Sequence, residues 1–177
     1  MRRLALLSTL CATLLAAAVA AAAADSPDRL ANVHGTIWAA NRGAHTIRGF
    51  DAQTGEVVNT VAMRPGSQPG DLAYAAGKLY VAEEFGTPPA IAILDARTGG
   101  RLEQIDMATG SRPHHVHTSK SGRLVAFGLY GTDMVAVVDT QTDTLLGPWD
   151  TNPAPGVTNG RAHAGVFAER EDALRGE

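Results

Sequence analysis

The residues best suited to chemistry in this sequence are three histidines within the predicted strand at 113–119. Side chains alternate between the faces of a strand, so His115 and His117 are expected on one face and His114 on the other. Two imidazoles one residue apart can bind one zinc, copper or iron ion. The spacing fixes no third ligand, and the alternative is that one histidine packs between sheets while the others face solvent.

Two of the histidines follow an arginine at the same distance. Arg112 lies two residues before His114, and Arg161 lies two residues before His163. Arginine and histidine both donate hydrogen bonds to carboxylate or phosphate groups. The sequence therefore predicts ligand-binding residues at Arg112, His114, His115, Arg161 and His163, and a transition metal at His115 and His117. The alternative is that the arginines only bridge neighbouring loops. No catalytic residue is predicted, since nucleophile-elbow, phosphate-loop and metalloprotease motifs are missing.

Three aspartates recur at a regular interval, which indicates a structural role rather than a catalytic one. Asp51, Asp95 and Asp139 are spaced by 44 residues each time, and each precedes a threonine by three residues. An aspartate carboxylate in a turn accepts backbone N–H groups, so these three are predicted to be turn residues. Glu83-Glu84 lies in a loop where the other units carry Asn41-Arg42 and Leu129-Tyr130. A solvent-exposed pair is expected there, with cation binding as the alternative.

The same interval of 44 residues organises the elements that carry these side chains. In the second unit, short predicted strands at 78–83, 90–94 and 101–107 are separated by turns, without a helical period. Four strands in about 44 residues are typical of the blades of a β-propeller. The sequence therefore predicts an all-β chain of four-stranded antiparallel blades, with units at about 35–76, 77–121 and 122–168.

The two ends of the chain fit no blade. A basic start, an apolar run and the A-x-A site before Asp25 predict a cleaved signal peptide at 1–24, with a membrane-spanning helix as the alternative. A lead-in at 25–34 and a charged tail at 169–177 flank the repeats. The 18 acidic and 15 basic side chains give a net charge of −3, which gives nucleic-acid binding little support. Cys11, the single cysteine, leaves with the signal.

Several segments resemble the YVTN family of β-propeller repeats. These are Arg112-Pro113, Thr118-Ser119-Lys120-Ser121-Gly122, Leu79-Tyr80-Val81-Ala82 and Val138-Asp139-Thr140-Gln141-Thr142, and the resemblance extends from 35 to 167. It implies a propeller fold of the kind found in secreted and surface-layer proteins, whose close relatives often have seven blades. It also implies that His114 and His163 lie at one mouth of the central channel.

The blade count implies an incomplete propeller. The first unit starts at its second strand, and the last contributes one inner strand at 162–168, so about three blades are present. Either the chain is part of a longer propeller, or two copies pair their open sheet edges into a ring of about six blades.

The expected function is a non-catalytic secreted or periplasmic binding or interaction module for a small molecule or protein. One alternative is a metal- or cofactor-dependent enzyme, or an accessory subunit of a periplasmic redox system that uses the histidines. Another is a surface-layer component.

Overall fold

The computed structural model describes residues 33–151 together with Ala162 and Phe167. All regular secondary structure within these residues is β-strand. The strands are β1 Thr36–Asn41, β2 Thr46–Asp51, β3 Val57–Ala62, β4 Pro69–Ala75, β5 Lys78–Glu83, β6 Ala90–Asp95, β7 Arg101–Asp106, β8 Pro113–Thr118, β9 Leu124–Leu129, β10 Met134–Asp139 and β11 Thr144–Asp150. Within this part of the chain, no helix is long and apolar enough to cross a membrane.

The strands form three sheets whose neighbours are consecutive in sequence. The first has the order β1-β2-β3, the second β4-β5-β6-β7 and the third β8-β9-β10-β11. The ladders of the second and third sheets are antiparallel. These sheets confirm the predicted all-β fold of propeller blades. The second sheet begins at Pro69 and the third at Pro113, so the strand at the end of unit 35–76 pairs with the second sheet. The predicted inner strand at 162–168 falls outside the described residues, apart from Ala162 and Phe167.

The recurring aspartates are turn residues, as predicted. Asp95 Oδ1 accepts hydrogen bonds from the backbone N–H groups of Arg97 at 2.9 Å and Thr98 at 2.7 Å. Asp51 makes the same two bonds with its own turn. Hydrogen bonds from the backbone lower the pKa of both carboxyls, because they favour the charged form. The interval of 44 residues is therefore the spacing of these turns.

Contacts divide the chain into two compact units. The described residues of the first are 33–37 and Phe50–Glu56, where Ala52 N–H donates to Gly35 O at 3.0 Å. The described residues of the second are Trp38–Gly49, 57–151, Ala162 and Phe167, and they include every residue of the core and site described below.

Two apolar clusters pack on opposite faces of the second sheet. We call them the first junction (Ile47, Met63, Leu79, Val81, Ala92 and Leu94) and the second junction (Ala75, Tyr80, Ala82, Ile91, Ile93, Met107, Val116, Val125, Phe127, Leu129, Ala136 and Val138). Leu79 and Val81 face the first junction, whereas Tyr80 and Ala82 face the second, because side chains alternate along a strand. Burial on both faces explains why β5 and β6 are nearly continuous apolar runs.

Polar ties join the sheets near the turns. At the first junction, Trp38 Nε1 donates to Ala96 O at 3.2 Å. At the second, Asp143 accepts hydrogen bonds from Lys78 Nζ at 2.6 Å and Tyr80 Oη at 2.7 Å. Burial of the ring is the main cause that raises the pKa of Tyr80 well above its usual range, and the hydrogen bond to Asp143 is the second. Asp143 has a φ of 55° at the turn position that Gly99 occupies, with a φ of 73°, in the second sheet.

Candidate functional site

A bulge at the start of β8 brings two of the predicted site histidines together. The register with β9 shifts between Pro113 and Val116, so strict alternation fails across His114 and His115. Their rings lie 4.5 Å apart, in an edge-to-face arrangement. The prediction that His114 and His115 lie on opposite faces is therefore wrong, because it assumed a regular strand.

Glu84, directly after β5, is the buried centre of this region. It is 1% exposed, and Arg112 Nη2 donates a hydrogen bond to its Oε1 atom. Arg42 Nη2 lies 2.6 Å from Oε2, as an ion pair without hydrogen-bond geometry, and His114 Nε2 lies 3.8 Å from the same oxygen. We call Arg42, Glu84, Phe85, Arg112 and His114 the Glu84 centre. The expectation that Glu83-Glu84 is a solvated pair is wrong, because arginines from the neighbouring sheets cover Glu84.

The repeat explains why these side chains meet. Arg42, Glu84 and Tyr130 each directly follow the second strand of a blade. Gln68 and Arg112 each directly precede an inner strand, with φ values of 46° and 51°. Equivalent positions of neighbouring blades come close around a propeller, and Arg42 Nε accordingly donates to Gln68 Oε1 at 3.1 Å. The repeat alignment thus contained the signal for the Glu84 centre, although composition alone suggested an exposed loop.

Two aromatic rings flank the guanidinium of Arg112. Its Cζ atom lies 4.8 Å from the ring centre of Phe85 and 4.9 Å from that of Tyr130. Arg42 Cζ lies 5.4 Å from the same Phe85 ring. Stacking of this kind stabilises a cation and fixes the plane of its donors. Arg112 is therefore held in one orientation, by a carboxylate at one end and by rings on its faces.

Asp71, on β4, orients the second histidine of the pair. Its Oδ2 atom accepts a hydrogen bond from Val116 N–H at 3.0 Å and lies 3.3 Å from His115 Nδ1. When a carboxylate faces Nδ1, that nitrogen carries the proton and Nε2 is left as the acceptor. Both side chains are about one-third exposed, so solvent reaches this pair.

A second carboxylate centre lies next to the first, and the side chains of its two arginines are less exposed, at 27% and 31%. Glu83 is 0% exposed. Arg64 Nε donates to its Oε2 atom at 2.8 Å, and Arg101 Nη2 donates to Oε1 at 3.1 Å. Arg64 Nη2 also donates to Pro88 O at 3.2 Å. We call Arg64, Glu83 and Arg101 the Glu83 centre.

The structure brings together three of the predicted ligand-binding residues, Arg112, His114 and His115. Arg161 and His163 lie outside the described residues. His117 is half-buried and pairs with Ala126 across the ladder. Among the residues that the structure describes, no three His, Cys, Asp or Glu side chains are grouped as ligands of one metal ion. The metal at His115 and His117 therefore stays a prediction. Sequence reasoning missed Arg42, Gln68, Asp71 and Glu84 as parts of the site.

The sheets and the polar cluster at their ends define a β-propeller protein. The chain belongs to the family described as Lactonase, 7-bladed beta-propeller, whose model matches residues 32–163. No curated protein matches the sequence. Membership of the YVTN group in particular stays a prediction.

Three solved structures that resemble the chain are distant from it in sequence. The hydrazine synthase of Kuenenia stuttgartiensis is 21% identical, with a TM-score of 0.57 over 64% of this chain and 32% of that one. The dihydro-haem d1 dehydrogenase NirN is 16% identical, with a TM-score of 0.52 over 64% and 24%. A Lactobacillus plantarum protein is 21% identical, with a TM-score of 0.55 over 68% and 40%. The chain thus spans less than half of each, and these likenesses show the fold alone.

Proposed function

We propose that this protein is a binding module that holds a small anionic molecule at the Glu84 centre. The observation that carries the proposal is the pair of arginines fixed by one buried carboxylate. Arg42 and Arg112 retain 45% and 36% of their side-chain exposure, whereas Glu84 is buried beneath them. Both arginine side chains therefore keep solvent-accessible surface.

The charge balance favours an anion. Glu84 is the carboxylate of the Glu84 centre and neutralises one of its two guanidinium charges, while Asp71 lies outside the centre against His115. Within the centre, one guanidinium charge is therefore left for a ligand. Guanidinium groups bind carboxylate and phosphate through paired N–H donors, and a fixed guanidinium loses less entropy on binding than a mobile one. His114 and Tyr130, whose rings lie 5.8 Å apart, add polar edges beside Arg112. Support for a ligand of the carboxylate or phosphate class comes from this geometry.

Calorimetric titration tests the proposal with inorganic phosphate and succinate as probes. The wild-type protein should bind one of them saturably at one site, and R112Q should bind it at least tenfold more weakly. The matched control is R123Q, because Arg123 is an exposed arginine that pairs with Asp139 at 2.6 Å outside the Glu84 centre. Equal affinity of wild type, R112Q and R123Q, or no saturable binding of either probe, would contradict the proposal.

Hydrolysis of a cyclic ester is the second candidate function. The family description names lactonases, and the Asp71–His115 pair has the arrangement of an oriented base. His115 Nε2 would take a proton from water as the oxygen of that water adds to the lactone carbonyl. Arg112 would stabilise the resulting oxyanion. Collapse would break the ring C–O bond, and the leaving alkoxide would take the proton from His115 to give a hydroxy acid.

Acid release from a panel of γ- and δ-lactones at constant pH tests this candidate. Turnover that falls about 100-fold in H115N would support it, since that is a usual contribution of a general base. Saturable binding of phosphate or succinate without turnover of any lactone would favour the binding module instead.

We also propose a secreted or periplasmic location, a transition metal at His115 and His117, and the association of two copies. The secreted or periplasmic location rests on the apolar segment at 1–24, and N-terminal sequencing of exported protein tests cleavage after Ala24. The metal at His115 and His117 supports the alternative of a redox enzyme or subunit, and elemental analysis of purified protein tests it. Light scattering tests whether two copies associate.

A further inference from the structure

A cavity of about 210 Å³ lies at the second junction, apart from the Glu84 centre. Its walls are mainly apolar and come from the end of β7, the segment between the second and third sheets, β9 and the turn after it, β10 and β11. The residues that line it are Asp106, Met107, Ala108, Ser111, Leu129, Thr132, Met134, Leu145 and Pro148. Four of them, Met107, Leu129, Met134 and Leu145, belong to or pack against the apolar cluster of that junction.

The repeat explains why the cavity exists. Each member of the Glu83 centre has an apolar counterpart one blade further along. Ala108 follows Met107 as Arg64 follows Met63; Leu145 pairs with Val138 as Arg101 pairs with Leu94. Leu129 stands opposite Met134 as Glu83 stands opposite Ala90.

All three counterparts, Ala108, Leu129 and Leu145, line the cavity. At the first junction, the equivalent positions carry two arginines bound to a carboxylate. At the second junction they carry shorter, uncharged side chains. The cavity therefore occupies the place that the Glu83 centre has at the first junction.

Two hydroxyl groups in the wall have no partner of their own. Ser111 is 1% exposed, and among the described residues neither Ser111 Oγ nor Thr132 Oγ1 has a hydrogen-bond partner. The bond from Gly131 N–H to Ser111 O, at 2.9 Å, holds the two segments together. Ser67 is equally buried at the first junction, so the serine belongs to the repeat.

We propose that this cavity binds a small, uncharged, largely apolar molecule with one carbonyl or hydroxyl group, of about the size of a monocyclic ketone. An apolar protein cavity of about 150 Å³ accommodates benzene, so the volume here suits a single ring with a short substituent. A carbonyl oxygen accepts up to two hydrogen bonds, and we assign to it the hydroxyls of Ser111 and Thr132, which are buried in the wall. Asp106 is the one ionisable residue that the described part of the chain contributes to the wall, and its carboxylate disfavours an anion.

Methyl NMR of the full-length protein tests the proposal with acetophenone as the probe. The methyl signals of Met107 and Met134 should shift saturably, whereas that of Met63, buried at the first junction, should not. In A108L the added side chain fills the cavity, and the shifts should disappear. T132V keeps the shape of the side chain but removes a hydroxyl, so it should weaken acetophenone binding at least fivefold while benzene binding stays within twofold.

Two results would overturn the proposal. One is the absence of saturable shifts at Met107 and Met134 in the wild-type protein. The other is equal shifts in wild type and T132V with equal affinity for acetophenone, which would mean that the cavity hydroxyls take no part. T132V remains decisive if A108L fails to fold, because it changes no volume. The outcome is independent of phosphate or succinate binding at the Glu84 centre.

Discussion

Glu83 and Glu84 are consecutive residues, both are buried, and each lies between two arginines, but the two centres differ in what they leave open. The arginines of the Glu83 centre, Arg64 and Arg101, are 27% and 31% exposed, and Arg64 also binds the backbone of Pro88. Those of the Glu84 centre are more exposed and stand beside two histidines. We infer from this difference that the same charge arrangement can tie two sheets together at the Glu83 centre and, as proposed above, hold a ligand at the Glu84 centre.

The largest expected effect is on stability, from the substitution E83Q. It removes the charge that balances Arg64 and Arg101, and breaking a buried pair on one side costs about 3 kcal/mol. Urea unfolding monitored by circular dichroism measures the loss. The matched control is E103Q, at an exposed glutamate of β7, which should change the free energy of unfolding by less than about 0.5 kcal/mol. A loss for E83Q as small as that of E103Q would show that the Glu83 centre does not hold the junction.

How far the sequence predicted these features depends on the range of the interactions. The turns at Asp51, Asp95 and Asp139 were predicted correctly, because each carboxylate binds N–H groups two or three residues away. The sheets followed from the same regular interval, because each blade is a local antiparallel meander.

The candidate site was predicted only in part. Arg112 and the histidines were found from residue type, but the burial of Glu84 depends on arginines from two other sheets. The bulge between Pro113 and Val116 changes the faces of His114 and His115, and no local residue pattern indicated it. Charged residues are usually exposed, so the Glu83-Glu84 pair was misassigned.

The substitution E84Q should lower the free energy of unfolding by less than E83Q does, by about 1–2 kcal/mol. Arg42 and Arg112 are exposed enough for water to solvate them once the carboxylate is gone. The same urea unfolding experiment measures this loss. A cost equal to that of E83Q would mean that both centres are structural, which would contradict the functional distinction between them.

The hydrogen bonds of Asp143 with Lys78 and Tyr80, at the second junction, should contribute about 1 kcal/mol to the free energy of unfolding. D143N removes the charge that pairs with Lys78 but keeps a residue that tolerates positive φ. Thermal unfolding compares D143N with Y80F and the double variant. The double variant should lose less than the sum of the single ones, because both act on one hydrogen-bonded group. Additive losses would show that Tyr80 and Asp143 act independently.

The smallest effect expected is a dependence on acid pH at the turn of the third sheet. The hydrogen bond from Arg123 is the main cause that lowers the pKa of Asp139 to about 2. Since this value lies below the ordinary 3.8, the pair stabilises the fold fully above about pH 4 and is lost as the pH falls through 2. Carboxyl NMR titration should show a higher pKa for Asp139 in R123Q, with Asp95 unchanged as the internal control. An unchanged pKa for Asp139 in R123Q would contradict this assignment.

Arginine side-chain NMR during separate titrations with phosphate and succinate distinguishes the two carboxylate centres, because it observes both of them in one sample. With at least one of these anions, the Nε–Hε signals of Arg42 and Arg112 should shift saturably, and those of Arg64 and Arg101 should stay in place. Shifts of all four signals to the same extent, or of none with either anion, would contradict the assignment of the Glu84 centre as the site where this protein binds an anion.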